Sequence, residues 1–445
     1  AAQRRWSVGL ADVTTAFLLS LLDEREPPLV VRAPEVLKRM GLIPPEVNFF
    51  RIRRAMYGLR SSPAAWARTR DLELQQMKVD GMRFSQHPTE EALWQILKEQ
   101  EKDGVMVEEC IGYLITYVDD FMVLGDREVV DTVLEKLRST WNLGAVAATH
   151  PPTSSDEEAE EVCFLAQEIR WSGDKLVMTQ KRYIEKMLKD YKMEDARSTA
   201  TPCDDSDLPL SPEPHIDRST LSAAQSITGA LLWISTHTRP DLAYSVHLMS
   251  SRVTTNPAWV VKAGHRALRY LAGTKNVGLT FEKWQEADYE DGERTSRYDD
   301  MRRRRGGQDF QAMGLPQLKV YSDASFAPHA RMQASEDIHD TGLKSVSGVV
   351  VLLGSTPIAW RSARQTTVAA STCESELNAQ LLGAQMGLGA HDVLLDMGVA
   401  TRLMLLCDST SALDLVATQF NSRNRHLAIR AGVLRSYLMT YCDGD

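Results

Sequence analysis

Ile111-Gly112-Tyr113-Leu114-Ile115-Thr116-Tyr117-Val118-Asp119-Asp120-Phe121-Met122-Val123-Leu124 reads as two apolar runs joined through a pair of adjacent carboxylates. β-Branched and aromatic residues on both sides of a short polar break predict a hairpin with negative charge at its tip. Hard oxygen ligands in that position suit Mg²⁺ and leave coordination positions open for a phosphate-bearing substrate. The competing reading is a solvated turn, because Asp is an ordinary turn residue. Taken alone the pair favours the solvated turn, so the decision falls to residues elsewhere in the chain.

Upstream, Trp6 to Val13 predicts a strand with Asp12 near its end, followed by a helix through Phe17 to Leu22. Downstream, Val129 to Trp141 carries a helical pattern. Asp12 and the Asp119/Asp120 pair therefore each sit at the end of an apolar strand, and folding can bring three acids together. Three carboxylates with no interleaved His or Cys favour Mg²⁺ over Zn²⁺. Two such ions, about 3.5–4 Å apart, would activate an attacking 3′ hydroxyl and stabilise a leaving pyrophosphate.

The chain has 445 residues, of which 43% are apolar, enough for two or three domains with proper cores. A net charge of −9 speaks against a generic nucleic-acid coat protein, although an enzyme working through local basic grooves escapes that objection. The six cysteines are scattered without a CxxC spacing, so neither a zinc ribbon nor a disulfide scaffold is indicated and a reducing compartment is expected. Arg4-Arg5 ahead of Val8 to Leu22 imitates a secretory signal, but Asp12 splits the apolar stretch and no cleavage pattern follows. No run approaches a membrane span. The expected location is intracellular, in a cytoplasmic particle or the nucleus, with no membrane partner.

Further along, Ser154 to Glu161 reads as a solvated acidic insertion. Leu221 to Leu271 is dominated by helices, with Asn256-Pro257 as N-cap and first helical residue and Gly273 as a terminator. Lys262, Arg266 and Arg269 fall on one helix face, which reads as a solvated face, with a nucleic-acid track as the alternative. Glu286 to Met313, with Arg302 to Arg305, reads as a charged linker. Strands at Leu318 to Ser322, Ser347 to Leu353 and Leu403 to Cys407, with a long helix from Thr372, predict a second compact α/β domain.

Three ordered motifs carry a family resemblance: Asp12-Val13-Thr14-Thr15-Ala16-Phe17-Leu18, Met56-Tyr57-Gly58-Leu59-Arg60-Ser61-Ser62-Pro63-Ala64-Ala65-Trp66 and Tyr117-Val118-Asp119-Asp120. In order and approximate spacing they resemble the reverse transcriptase of copia-type long-terminal-repeat retrotransposons. The resemblance implies a multidomain α+β and α/β protein. Residues 1–180 would form a polymerase palm with an antiparallel sheet, 181–285 a helical thumb and connection, 286–317 a charged linker and 318–445 a ribonuclease H-like domain.

It also implies that Asp12, Asp119 and Asp120 hold two Mg²⁺ ions, with Mn²⁺ as a substitute, and that Phe17 crowds a ribose 2′ hydroxyl. Tyr57, Gly58, Arg60, Ser62 and Pro63 would support the incoming nucleotide and template. Gly permits close backbone approach and Pro fixes the following turn. The implied partners are an RNA template, a DNA primer, RNA–DNA hybrid and deoxynucleoside triphosphates, together with integrase and protease domains upstream in a Pol polyprotein.

Phe164 to Ile169 and Gln180 to Ile184 resemble the family's primer-holding hairpin and thumb start, and Thr238 to Tyr244 and Leu268 to Thr274 its connecting helices. The last two read as structural, with Pro240 and Asp241 explained by capping and dipole compensation. The family's ribonuclease H domain implies a second two-metal site from Asp323, Glu376 and Asp408, with His426 nearby. Glu374 is accounted for by a capping box in Ser371-Thr372-Cys373-Glu374, and Asp408 has a plain N-cap as its structural alternative.

The sequence departs from the family at Ala428, where a fourth acid is expected, and more mildly at Ser61 and Ala166. It begins just before Asp12, so the fingers region is expected to be absent. The expected activity is RNA-directed DNA synthesis with hydrolysis of the RNA strand of hybrids. The alternative is a catalytically silent retroelement remnant that binds nucleic acid or assists assembly.

Overall fold

The computed structural model describes residues 1–23, 27–102, 105–153, 159–204, 208–209, 211–285, 288, 315–328, 343–417 and 425–442. The arginine run Arg302 to Arg305, with nearly all of the expected linker, lies outside the described residues, as does Ser154 to Glu158 of the acidic insertion. The chain divides into two compact units, one formed by Ala1–Phe164 with Ile169–Asp174, the other by Leu165–Glu168 with Lys175–Asp445.

In the first unit, in chain order, come β1 (Ser7–Val13), α1 (Ala16–Leu19), β2 (Val30–Arg32), α2 (Glu35–Arg39), β3 (Phe49–Arg51), α3 (Ser62–Gln76), β4 (Lys78–Val79), β5 (Met82–Gln86), β6 (Leu93–Lys102), β7 (Val105–Tyr117), β8 (Asp120–Gly125), α4 (Arg127–Thr140), β9 (Leu143–Thr149) and β10 (Val162–Phe164). Seven strands make one sheet in the order β4-β5-β6-β7-β8-β1-β9, and every pairing in it is antiparallel.

Alternation puts Ala11, Val13, Phe121 and Val123 on the face that α3 and α4 cover, with Trp66, Leu74, Val130, Val133 and Leu137 closing the core. The helix expected through Phe17 to Leu22 is a single turn ending at Leu19. Ser20 is extended and Leu21 bridges to Arg54, because only Ala16 of that turn is buried and nothing apolar underneath would support a longer helix.

Next in the chain, β11 (Gln167–Ser172) leads to β12 (Lys175–Thr179), which lies in the second unit and pairs with β13 (Leu279–Phe281). Between them lie α5 (Lys181–Asp190), α6 (Arg218–His237), α7 (Ala243–Arg252) and α8 (Pro257–Thr274). Their shared core includes Ile184, Leu188, Ile227, Leu231, Ile234, Val246, Met249, Val260, Leu268 and Leu271, spaced three and four apart as amphipathic helices require.

Two capping expectations are corrected here. The Asn256 side chain does not cap α8 but donates to the Ser211 carbonyl, while the Glu213 carboxylate accepts the first free amides, of Ala258 and Trp259. Gly273 does not terminate α8, which continues to Thr274. It is small because a Cβ there would lie 2.7 Å from Cβ of Ser198.

The same unit contains a four-stranded sheet in the order β16-β15-β14-β17, from β14 (Gln317–Ser325), β15 (Val346–Leu353), β16 (Thr356–Arg364) and β17 (Arg402–Leu406). The first three strands are antiparallel, and β17 lies parallel to β14. The long helix α9 (Thr372–Asp396) packs on β14 and β15, burying Leu318, Val320, Val349 and Val351. It is followed by α10 (Thr410–Ala417) and α11 (Ala428–Cys442). No helix among the described residues is long and apolar enough to cross a membrane.

Candidate active site: two sets of carboxylates

The Tyr117-Val118-Asp119-Asp120 stretch is a two-residue hairpin, with Tyr117 paired to Asp120 across it. Its first central residue, Val118, has φ +52°, a backbone region that a β-branched side chain strongly disfavours and that costs on the order of 1–3 kcal/mol. Helix α3 holds this turn in place. The Trp66 indole, 1% exposed, donates to the Val118 carbonyl at 2.6 Å, and the Arg70 guanidinium reaches the same oxygen at 3.4 Å. Arg70 is itself neutralised by Asp71 at 2.7 Å. Trp66 meets Trp141 edge-on with centroids 5.9 Å apart, and Trp141 stacks on Phe121 at 5.4 Å, so an aromatic column runs from α3 to the residue following Asp120.

The register aligns Asp12 of β1 directly with Asp120 of β8. Cross-strand partners share a face, so two like charges stand opposite each other, with Asp119 beside them in the turn. The Val13 amide donates to the Asp119 carbonyl at 2.9 Å, which ties the end of β1 to the hairpin tip. Burial first, then the charges of Asp119 and Asp12, push the Asp120 carboxyl up to about 6. Burial and Asp119 raise Asp12 as well.

On the other side of β1, β9 has one extra residue opposite Asp12, so Gly144 lies under the carboxylate. A Cβ at residue 144 would come within 2.9 Å of Oδ2 of Asp12. Sequence reasoning missed Gly144, Trp66 as an indole donor and Arg70. A glycine three residues after Trp141, which follows the helix end, was the only signal for Gly144.

Around these acids, Phe17 is half-buried and its ring meets that of Tyr57 at 4.9 Å. Tyr57 is exposed, and Gly58 has φ +91°, which only glycine adopts without strain. Ser62 is fully buried. Its hydroxyl donates to the Met56 carbonyl at 2.7 Å and accepts from the Met56 amide, so it fixes the Tyr57-Gly58 turn and has no face toward a substrate. Pro63 opens α3, and both it and Arg60 are exposed.

The second set lies on β14, α9 and the end of β17. Asp323 is exposed near the end of β14. Glu376 is half-buried on the first turns of α9, with Oε2 buried and unpartnered. Burial, then Asp323, push its carboxyl up to about 7, with Asp408 adding to the rise. Asp408 is exposed and free of the capping role: the Ser409 hydroxyl accepts from the Ala412 amide and caps α10 instead.

Ligand atoms of Glu376, Cys407 and Asp408 lie within 4.8 Å of one another. Cys407 was not anticipated, since its sequence spacing from other cysteines carried no signal. Half of the expected capping box is present: the Glu374 amide bonds to Ser371 Oγ, but the return arm reaches the Ala370 amide instead of that of Ser371. The Glu374 carboxylate takes the Ala370 amide at 2.8 Å and Nη1 of Arg430 at 2.5 Å. His426 is exposed in the turn Arg425–Leu427, and its charge acts on Glu374. Glu374 is thus committed, and it does not replace the acid absent at Ala428.

Both sets have the chemistry of divalent-cation sites: oxygen donors, mutual repulsion, and in the second a buried carboxylate oxygen with no partner. In metal-free protein Asp120 has a raised value in the fold, so its contribution to stability is present below the unfolded carboxyl range near 3.9 and is lost as pH rises through about 6. Asp120→Asn should therefore raise the thermal midpoint of metal-free protein at pH 7. After discounting for solvent screening the gain is roughly 1 kcal/mol, or about 2–4 °C, and it should vanish near pH 4. Calorimetry in EDTA at the two pH values checks this.

Residues 1–205 match the sequence model of the family described as reverse transcriptase (RNA-dependent DNA polymerase). The chain is 26% identical over 455 residues to the retrovirus-related Pol polyprotein from transposon RE2 of Arabidopsis thaliana, covering 99% of this chain and 26% of that protein. It is 25% identical to the corresponding polyprotein from transposon TNT 1-94 of Nicotiana tabacum, covering 94% of this chain and 27% of the relative. The chain thus spans about a quarter of the length of these relatives. A foamy viral protease-reverse transcriptase solved with dsDNA aligns over 97% of this chain and 67% of its own, at 12% identity and a TM-score of 0.20, too low to bear on the argument.

Proposed function

The chain belongs to the Pol polyproteins of copia-type retrotransposons, and on that premise we propose that it is an RNA-directed DNA polymerase with a second, ribonuclease H-type site. The observation that carries the polymerase reading is the alignment of Asp12 with Asp120 beside Asp119, a like-charge arrangement whose repulsion a divalent cation would relieve. Divalent metal ions, Mg²⁺ by the chemistry of the donors, would supply Lewis-acid stabilisation of charge on the attacking and leaving oxygens when bound.

The chain's own residues do the rest. Asp12, Asp119 and Asp120 hold the ions, and Trp66 and Arg70 keep the hairpin tip in its strained shape. Phe17, backed by Tyr57, forms the wall that a ribose 2′ hydroxyl would strike. The open turn at Gly58, fixed from behind by Ser62 and followed by Pro63, offers backbone to the nucleotide, with Arg60 free to meet phosphate.

In this reading residues 1–180 are palm, 181–285 thumb and connection, and 318–445 the ribonuclease H-like domain. RNA template, DNA primer and deoxynucleoside triphosphates are the partners of the first site and RNA–DNA hybrid of the second. Asp323, Glu376 and Asp408 would hold the metal of the second site, with His426 at its margin. A second reading has an observation behind it there. With Ala428 in place of an acid and Glu374 tied to Arg430, the site is one ligand short and hydrolysis would be slow or lost.

Primer extension by the full chain on an RNA template with a DNA primer, deoxynucleotides and Mg²⁺ tests the proposal, and a chain that adds no nucleotide refutes the active-polymerase reading. Trp66→Phe keeps the ring but removes its N–H. It should cost about 1–2 kcal/mol in thermal stability and lower kcat about tenfold, with KM for deoxynucleotide unchanged. Unchanged kcat would show that the indole bond is packing alone.

A further inference from the structure

Gln365, the residue that follows β16, is buried and belongs to neither set of carboxylates. Both hydrogens of its carboxamide are used: Nε2 donates to the Ser347 hydroxyl at 2.9 Å and to the Ser375 carbonyl at 2.8 Å. Its Oε1 accepts from Nδ2 of Asn378 at 3.1 Å. The orientation of the amide is thereby fixed, because turning it over would set its oxygen against the Ser375 carbonyl and its NH₂ against that of Asn378. The backbone amide of Gln365, bonded to the Ser345 carbonyl at 2.8 Å, anchors the residue beside β15.

These partners adjoin the second set of acids. Ser347 of β15 is the cross-strand partner of Ala324, and its neighbour Gly348 is that of Asp323. Ser375 and Asn378 lie on either side of Glu376 in the first turns of α9. The Ala324 amide donates to Asp323 Oδ1 at 2.8 Å and also acts on the Glu376 carboxylate, so strand and helix meet at this point. Apolar contact sets how closely α9 rests on the sheet: a Cβ at residue 387 would come within 2.6 Å of Cγ2 of Val320. Burial is non-directional, however, and by itself fixes neither the rotation of the helix nor its position along its axis, where one residue is about 1.5 Å. Carboxylates that share an ion must be held to within about 0.5 Å, and hydrogen bonds supply the direction that packing lacks. Glu374 ties the helix to Arg430 of α11, whereas Gln365 ties it to the sheet that carries Asp323.

We propose that Gln365 is a positioning residue of the second site: by joining Ser347 of β15 to Ser375 and Asn378 of α9, its carboxamide sets Glu376 where it and Asp323 share one divalent cation. The proposal rests on the ribonuclease H-type reading of that site. Gln365 makes no hydrogen bond to either carboxylate among the described residues, so its effect passes through the frame that holds them.

The test is Mn²⁺ binding to the full chain, read from the loss of the free-ion electron paramagnetic resonance signal, beside Mg²⁺ titration of hybrid cleavage. Asp323→Asn identifies the Mn²⁺ equivalent that belongs to this site. Gln365→Met keeps the length of the side chain and loses all its hydrogen bonds. It should weaken that equivalent about tenfold and raise the Mg²⁺ concentration for half-maximal cleavage to match, with the remaining Mn²⁺ bound as in wild type. Val351→Ala, a truncation in the core under β15, should lower the thermal midpoint and leave Mn²⁺ affinity unchanged. If Gln365→Met binds Mn²⁺ like wild type, or Val351→Ala weakens binding as much, Gln365 is structural alone and the ribonuclease reading stands. Wild type that binds the ion and cleaves no hybrid sinks the ribonuclease reading, and the binding comparison then decides the role of Gln365. If Asp323→Asn removes no Mn²⁺ equivalent, both readings fall.

Discussion

Asp119→Asn removes template-directed primer extension by the full chain, by at least about a thousandfold, and leaves cleavage of an RNA–DNA hybrid untouched, while Asp323→Asn does the reverse. The size follows from the several kcal/mol of charge stabilisation that a correctly held divalent ion provides, at about 1.4 kcal/mol per factor of ten. Asn keeps the shape of the turn and of β14 but loses the anionic oxygen. The separation of effects follows from the chain itself. Asp119 lies in the hairpin between β7 and β8 of one compact unit, and Asp323 lies on β14 of the other. Parallel assays of deoxynucleotide incorporation and hybrid cleavage on the same preparations check it. Loss of both activities in either variant would mean that the two acid sets do not serve separate reactions.

Asp241→Ala is expected to destabilise the second unit by about 2 kcal/mol, less than a fully buried pair would lose because the Asp241 side chain is 33% exposed to water. Arg239 is 0% exposed. It donates to Asp241 through Nε at 2.9 Å and Nη2 at 2.6 Å, and to the Thr274 carbonyl and hydroxyl at 2.9 and 2.8 Å. The Tyr270 hydroxyl donates to Asp241 at 2.8 Å, and the Tyr270 ring lies 5.4 Å from the guanidinium. Burial alone would raise the Asp241 carboxyl, but the hydrogen bonds and charge of Arg239, with Tyr270, hold it below its ordinary value. Its contribution is therefore present above the unfolded carboxyl range near 3.9 and is lost as pH falls through the lower folded value. Removing the carboxylate strands a buried cation, whereas Arg239→Met, which removes the cation and fills the space, should cost less. Chemical denaturation of the two variants followed by Trp fluorescence distinguishes the cases, and equal losses would mean that packing rather than charge dominates.

This network also corrects the capping explanation given to Thr238-Arg239-Pro240-Asp241. The sequence offered Pro and Asp at a helix start, a pattern with a sufficient local account. The actual partner of Asp241 is two residues back and fully buried, and the third member, Thr274, is 35 residues away. The motifs Thr238 to Tyr244 and Leu268 to Thr274 turn out to be two halves of one network around the buried Arg239, with Asp241 on its partly exposed side. Asn256 and Gly273 failed as local signals for the same reason: Glu213 and Ser198, each distant in sequence, decided what those positions do.

What the sequence determined by itself is the strand-and-acid pattern. Apolar alternation on both sides of Asp119-Asp120 fixes a hairpin, Asp12 ends its own strand, and Ser371 to Glu374 starts a long helix, because each depends on residues within one element's reach. Only the tertiary structure decided that Asp12 faces Asp120, that Gly144 leaves room for the carboxylate, that Trp66 and Arg70 secure a strained Val118, and that Gln365 joins β15 to α9. Register, bulges and desolvation are set between elements, where a one-residue shift moves every side chain to the other face, and no local pattern encodes that alignment.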